Sequence, residues 1–210
     1  MKNLLMICLT VAVVSLPIIA QESENGWTSL FDGQTLNGWK FSEDEGTFSV
    51  KNGEIVVHGK RSHLYYVGDV NNGTWTNFEF KADVKTEPGS NSGIYFHTEF
   101  QQDGWPTKGY EVQVNNSHSD WRRSGSLYNI IDLKESQAKD NEWFTEHIIV
   151  KDNKISVYVN GVHVYDYTEP ENVQYKGAPG RKISSGTFCL QGHDPKSVVY
   201  FKNIMVKSLP

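Results

Sequence analysis

Two Asn-Gly pairs, Asn52-Gly53 and Asn160-Gly161, each lie between short alternating runs, and they narrow what this chain can fold into more than any other feature. Asn and Gly both tolerate the positive φ of a two-residue hairpin turn, so the pair is the strongest short-range hairpin signal a sequence offers. Segments 47–50 and 54–58 flank the first pair, and segments 143–150, 154–159 and 162–167 form a meander turned at Asp152-Asn153 and at the second pair. Further strands are expected over 64–70, 77–86, 92–100, 110–115, 126–131, 186–191 and 198–207. Segment 77–86 shows the pattern cleanly, with Phe78, Phe80, Ala82 and Val84 alternating against Glu79, Lys81, Asp83 and Lys85, the mark of a half-buried strand. No long helix is expected; 131–139 has room for a short turn. Many short antiparallel strands joined by Gly and Asn turns predict an all-β fold, a two-sheet antiparallel jelly-roll sandwich, in one domain over 25–210.

A chain of 210 residues buries a core of that kind readily. Its formal net charge of −5 speaks against nucleic acid as a partner. The first 20 residues read as a cleaved secretory signal. Lys2 is the positive end, Leu4 to Val14 the apolar stretch, and cleavage falls after Ala20, which predicts a secreted or periplasmic bacterial protein without a membrane span. Cleavage would remove Cys8 and leave Cys189, flanked by Phe188 and Leu190, as a buried apolar thiol. Such a domain is held together by its core and not by a disulfide.

The run from Gly109 to Asn116 carries the first chemical signal. Val112 and Val114 fall on one face, while Glu111, Gln113 and Asn115 fall on the other. An acid in line with two primary amides suits a polyhydroxylated ligand and the transfer of one proton. Tyr95, His97 and Glu99 are expected on one face of their strand, opposite Ile94 and Phe96. Gln191 and His193 share a face opposite Leu190. Tyr128 could donate to a sugar oxygen, and Trp105, in an irregular loop beside Pro106, could stack on a sugar ring.

The order and wording of several motifs resemble one family. They are Leu30-Phe31-Asp32-Gly33 leading to Gly38-Trp39, Gly93-Ile94-Tyr95-Phe96-His97, Gly109-Tyr110-Glu111-Val112-Gln113, Ser124-Gly125-Ser126-Leu127-Tyr128, Val159-Asn160-Gly161, Leu190-Gln191-Gly192-His193 and Phe201-Lys202-Asn203-Ile204. Together they are similar to the 3-keto-disaccharide hydrolases, whose fold is a concanavalin A-like lectin/glucanase sandwich. Two positions depart from that pattern: Phe144 follows Glu142-Trp143 where the family often has Asn, and Lys202 stands where it tends to have Arg. Lys keeps the charge but loses the planar fork.

The resemblance implies a substrate with a ketone at C3 of one sugar ring. That ketone acidifies the C2–H, so a base can form an enolate that expels the C1 oxygen, with water adding back for net hydrolysis. Glu111 is the candidate base, His97 and His193 assist as acids, bases or donors, and Gln113, Tyr95, Tyr128, Gln191 and Trp105 hold the sugar. Related glucanases place several acids on one strand, whereas only the first of Glu111, Gln113 and Asn115 ionises. An ordinary glycosidase would need its second carboxylate from Glu99, Asp120 or Asp132. A non-catalytic carbohydrate-binding module and a laminin G-type adhesive module are the other readings. The histidines show no metal-ligand spacing and no dinucleotide or phosphate-loop motif occurs. No cofactor is therefore expected, and a divalent cation, Ca²⁺ or another, stays open.

Overall fold

The computed structural model describes residues 25–210, so the expected signal segment lies outside the described residues. Thirteen strands form two antiparallel sheets: β1 (Thr28–Ser29), β2 (Trp39–Phe41), β3 (Phe48–Lys51), β4 (Glu54–Val57), β5 (Ser62–Tyr66), β6 (Phe78–Thr86), β7 (Ser92–Thr98), β8 (Tyr110–Val114), β9 (Phe144–Lys151), β10 (Lys154–Val159), β11 (Val162–Thr168), β12 (Thr187–Gly192) and β13 (Val199–Ser208). The larger sheet runs β11-β10-β9-β6-β13-β4-β3, with β1 added on β13; the smaller runs β2-β5-β12-β7-β8. This is the expected all-β sandwich. The alternating residues of β6 meet Phe96 and Phe188 of the smaller sheet in the interior, with the Phe78 and Phe188 rings edge-on at 4.9 Å and Phe80 and Phe188 at 4.6 Å. The aromatic clustering fixes the spacing of the layers and adds to the burial term.

The turns follow the Asn-Gly signals, with Asn52, Gly53, Asn160 and Gly161 all at positive φ. Two expectations fail. Segment 126–131 is not a strand but a tight turn, in which Leu127 makes single bridges to Val112 and Ile131. Ser126 Oγ donates to Arg123 O and Leu127 N to Ile131 O, so local bonds replace a ladder. The strand expected over 64–70 is β5, displaced toward the N-terminus and followed by a 3₁₀ turn over Val70–Gly73 with Asn71 and Asn72 at positive φ.

The outer face of the smaller sheet positions the site. Its register places Lys40, Tyr65, Cys189, Tyr95 and Glu111 in one row across five strands, and His63 and Gln191 in the next, with Gly93 opposite Gln113 at the far end. Polar and aromatic side chains on this face are covered by three loop segments, which together leave a cleft.

Candidate active site

The cleft has a volume of about 810 Å³ and is floored by Tyr95, Glu111, Gln113 and Gln191. Its walls are the loop carrying Trp105, the segment 177–182, and Asp120 with Tyr128. Gln101 and Gln102 anchor the first loop, through Nε2 bonds to Trp105 O (2.9 Å) and Ser42 O (2.6 Å). The second is pinned by the bond from Gly109 N to Gly180 O (2.9 Å), which brings Arg181 to the cleft.

Glu111 stands at the centre. Gln191 donates through Nε2 to Glu111 Oε1 at 2.9 Å and to the Tyr95 hydroxyl at 3.1 Å. Burial pushes the Glu111 carboxyl up to about 7, while the bonds from Tyr95 and Gln191 and the charge of Arg181 pull the other way. A carboxyl poised there can both take and return a proton at neutral pH. Its position depends on Gly93 on the neighbouring strand. A Cβ on Gly93 would come within 2.3 Å of Glu111 Oε1 and 2.9 Å of its Cγ and Cδ.

Gln113 donates through Nε2 to Asn91 Oδ1 at 2.8 Å, and its own Oε1 is buried without a protein partner, as is Gln191 Oε1. Two unpartnered carbonyls on the floor of a cleft are acceptors suited to sugar hydroxyls. Asn115, expected on the same polar row, is instead a structural residue: its Nδ2 caps the carbonyls of Asp120 and Arg122 at 2.8 and 2.7 Å.

Trp105 is 42% exposed on the rim, with its ring 5.5 Å from that of His193. Tyr128 lines the wall beneath the Arg122 guanidinium, 4.8 Å from the ring centre. Glu99 and Asp120 reach the cleft, but each faces a cation, Lys108 at 3.1 Å and Arg122 at 3.2 Å. Asp132 sits behind them on Arg122, also at 3.2 Å.

His97 is a correction. The alternation of its strand predicts a ring beside Tyr95, facing the ligand; it does not line the cleft. β7 carries a bulge against β12, where Thr187 pairs with Thr98 and Cys189 with Tyr95. His97 takes φ +54° there, and its ring turns to the core, edge-on to Phe78 and Phe96 at 5.5 Å. An extra residue in a bulge breaks the two-residue alternation, which is why the face assignment fails. Both nitrogens are used: Ser184 N donates to Nδ1 (3.2 Å), so Nε2 carries the proton and gives it to Thr76 O (2.9 Å). Burial holds this imidazole down to about 4, neutral and structural.

His193 does line the cleft, with Nδ1 on Asp194 Oδ2 at 2.8 Å. Asp194 is fixed in turn by Lys196 N and Ser197 Oγ, at 2.8 and 2.9 Å. Nothing in the local sequence joins His118 to this pair, because it comes from a loop 75 residues earlier in the chain. The fold brings its ring 5.4 Å from that of His193. Among the described residues, His118, His193 and Asp194 are a group whose potential ligand atoms all lie within 4.8 Å of one another. The donor set fits a metal poorly. His118 Nδ1 already accepts from Asp120 N, and Asp194 is occupied by the turn that follows it.

Residues 26–207 match the sequence profile of the 3-keto-alpha-glucoside-1,2-lyase-like domain. The chain belongs to that family. A curated relative, the 3-keto-disaccharide hydrolase of Bacteroides thetaiotaomicron, is 27% identical over 170 residues, 68% of this chain and 59% of the relative. The chain thus spans less than two thirds of that relative's length. A crystal structure from Parabacteroides distasonis, provisionally named a glycosyl hydrolase, superposes with a TM-score of 0.75 at 26% identity, covering 88% of this chain and 94% of that one. The carbohydrate-binding module CBM66 of Bacillus subtilis shares the fold at 13% identity, with a TM-score of 0.58 and coverage of 81% and 96%. Among the described residues, no helix is long and apolar enough to cross a membrane.

Proposed function

We propose that this protein cleaves the glycosidic bond of 3-keto-glycosides by ketone-assisted elimination, with Glu111 as the base. The observation that carries this reading is the single carboxyl on the cleft floor, raised to about 7 by burial and held by Gln191. A group titrating near neutrality is suited to removing a carbon-bound proton that a neighbouring ketone has acidified.

The steps balance in atoms and electrons. Glu111 takes the C2 proton, and the C–H electron pair forms C2=C3 while the ketone oxygen becomes an enolate. When the enolate collapses, C3=O returns, C1=C2 forms and the C1–O bond breaks. The leaving oxygen gains a proton, for which His193, oriented by Asp194, is the candidate donor in its protonated form. Addition of water across C1=C2 completes net hydrolysis. Gln113 and Gln191 accept from ring hydroxyls, Tyr128 donates, Tyr95 spends its one proton on the Glu111 carboxylate and so holds it on the floor, and Trp105 covers a sugar face. The family membership and the name of the curated relative support the substrate class. An ordinary two-carboxylate mechanism is less well supported, because Glu99 and Asp120 are each engaged with a cation. The signal-like pattern of the first 20 residues supports export, so in this reading the enzyme works outside the cytoplasm of a bacterium.

The test is release of the aglycone from a 3-keto-glucoside and from its unoxidised parent, for wild type and Glu111→Gln. The expected result is release from the keto substrate alone, lost in the variant. Release from the parent as well would point to an ordinary glycosidase. Binding without release from either would point to a carbohydrate-binding module.

A further inference from the structure

Trp105 lines the cleft and stays open on its rim, yet three side chains fix its ring. The His63 ring meets it edge-on at 5.4 Å, the His193 ring lies 5.5 Å away, and the Arg61 guanidinium carbon stands over it at 5.4 Å. His63 is itself fully buried and meets Tyr95 edge-on at 5.9 Å, so one ring spaces the rim from the floor. Burial holds the His63 imidazole down to about 4, so at neutral pH it packs there uncharged.

These contacts converge on Glu43, which does not itself line the cleft. Its Oε1 accepts from Gly104 N at 3.1 Å, the residue before Trp105, and from Arg61 Nε at 2.9 Å, with Arg61 Nη2 closing the fork on the same oxygen. Its Oε2 faces His63 Nδ1 at 3.7 Å. One carboxylate thus touches the backbone that leads into the indole, the cation over it and the imidazole beside it. Burial acts to raise the Glu43 carboxyl, but the bonds from Arg61 and Gly104 outweigh it and hold it below the usual range, so it is ionised. Ser42, the residue before Glu43, holds the same loop by accepting from Gln102 Nε2 at 2.6 Å. An indole fixed before a ligand arrives loses little freedom on stacking, which strengthens the contact.

We infer that Trp105 is the platform for the leaving unit and that Glu43 is the positioning residue that sets it, so the enzyme selects 3-keto-glycosides whose leaving unit presents a flat face, a second sugar ring or an aryl group. This rests on the reading of Glu111 as the base and His193 as the donor to the leaving oxygen. That oxygen joins the two units of the substrate, so its donor stands between them. Glu111 takes its proton from the keto ring on the floor, where Tyr95 and Gln191 hold the carboxylate. Trp105 stands on the rim against His193. A unit bonded to the leaving oxygen therefore passes His193 and meets the indole, while the keto ring stays below.

The test compares leaving units of different shape. Aglycone release is measured from methyl, phenyl and glucosyl 3-keto-glucosides, for wild type, Trp105→Ala, Glu43→Ala, Glu43→Gln and the double variant carrying both alanines. Trp105→Ala should raise KM about tenfold for the phenyl and glucosyl substrates, while kcat, and both constants for the methyl substrate, stay within about twofold. Glu43→Ala should show the same pattern at about 3–10-fold, and Glu43→Gln, which keeps an acceptor for Gly104 N, should recover part of the loss. In the double variant Glu43→Ala should add nothing to Trp105→Ala, because its effect runs through the indole. Equal losses on all three substrates would set Trp105 against the keto ring, and fully additive losses would leave Glu43 a purely structural residue. Either result, or wild-type constants in folded Trp105→Ala, would overturn the inference while leaving Glu111 as the base. A wild type that neither releases aglycone nor exchanges C2–H from any of the three would remove the proposed function, and this inference with it.

Discussion

At the scale of single residues, two carboxyls show how differently the same side chain behaves in different surroundings. Glu111 is raised into the neutral range but opens on the cleft; Glu146 is fully buried, takes one bond from Gly125 N at 3.2 Å, and burial raises it well above the carboxylate range. Glu111 as a base must be ionised, so kcat/KM should rise with pH through about 7 and then level off, a limb that Glu111→Gln removes along with about 10²–10⁴-fold of the rate. The stability effect has the opposite sign. A carboxyl whose folded pKa is raised penalises the folded state only when ionised, so the wild type loses stability as pH rises from 4.5 to about 7. Thermal melts should therefore find Glu111→Gln more stable than wild type at pH 8 and equal to it at pH 4. For His97 the expected outcome is reversed. Its two buried bonds and core packing mean that His97→Ala should cost about 2–3 kcal/mol, seen as a Tm lower by roughly 5–10 °C, with kcat within a few-fold of wild type. Glu111 is legible in the sequence because a lone acid in an alternating strand has a definite face. His97 is not, because one bulge residue rotates the side chains beyond it onto the other face.

At the scale of elements, the pairing of β7 with β8 sets the geometry of the candidate site. Gly93 lies opposite Gln113 in that ladder, and the absence of a side chain lets the Glu111 carboxylate lie across its neighbour. Gly93→Ala should leave the sandwich folded, with Tm within a few degrees, while pushing the carboxylate aside and lowering kcat by about 10²-fold; steady-state kinetics beside a melt would separate the two. Strands with strict alternation, such as β6 and β9, can be read from the sequence because one face is core and the other is not. Segment 126–131 cannot, since its local side-chain bonds imitate a strand in composition but fold into a turn. The site loops are legible only as loops. Their contribution, such as Arg181 in the cleft, depends on long-range bonds like that from Gly109 N to Gly180 O, which no local pattern encodes.

At the scale of the whole molecule, a sandwich without a disulfide among its described residues is stabilised by its shared aromatic core. Cys189 is a free, fully buried thiol, and burial raises it well above the usual thiol range. The native protein should therefore resist thiol-directed reagents, and its Tm should be the same with and without a reductant; modification without unfolding would show that the row of Tyr65, Cys189 and Tyr95 opens in solution. The fold leaves one face of the smaller sheet lined with polar groups under three loops, which is how a lectin-like scaffold can carry proton-transfer chemistry. The central claim is that this chemistry begins at a carbon-bound proton, and it is tested most directly with a 3-keto-glucoside carrying deuterium at C2. The account predicts that the label leaves for solvent in step with aglycone release, and that both stop in Glu111→Gln. Aglycone release with the C2 deuterium fully retained would contradict it.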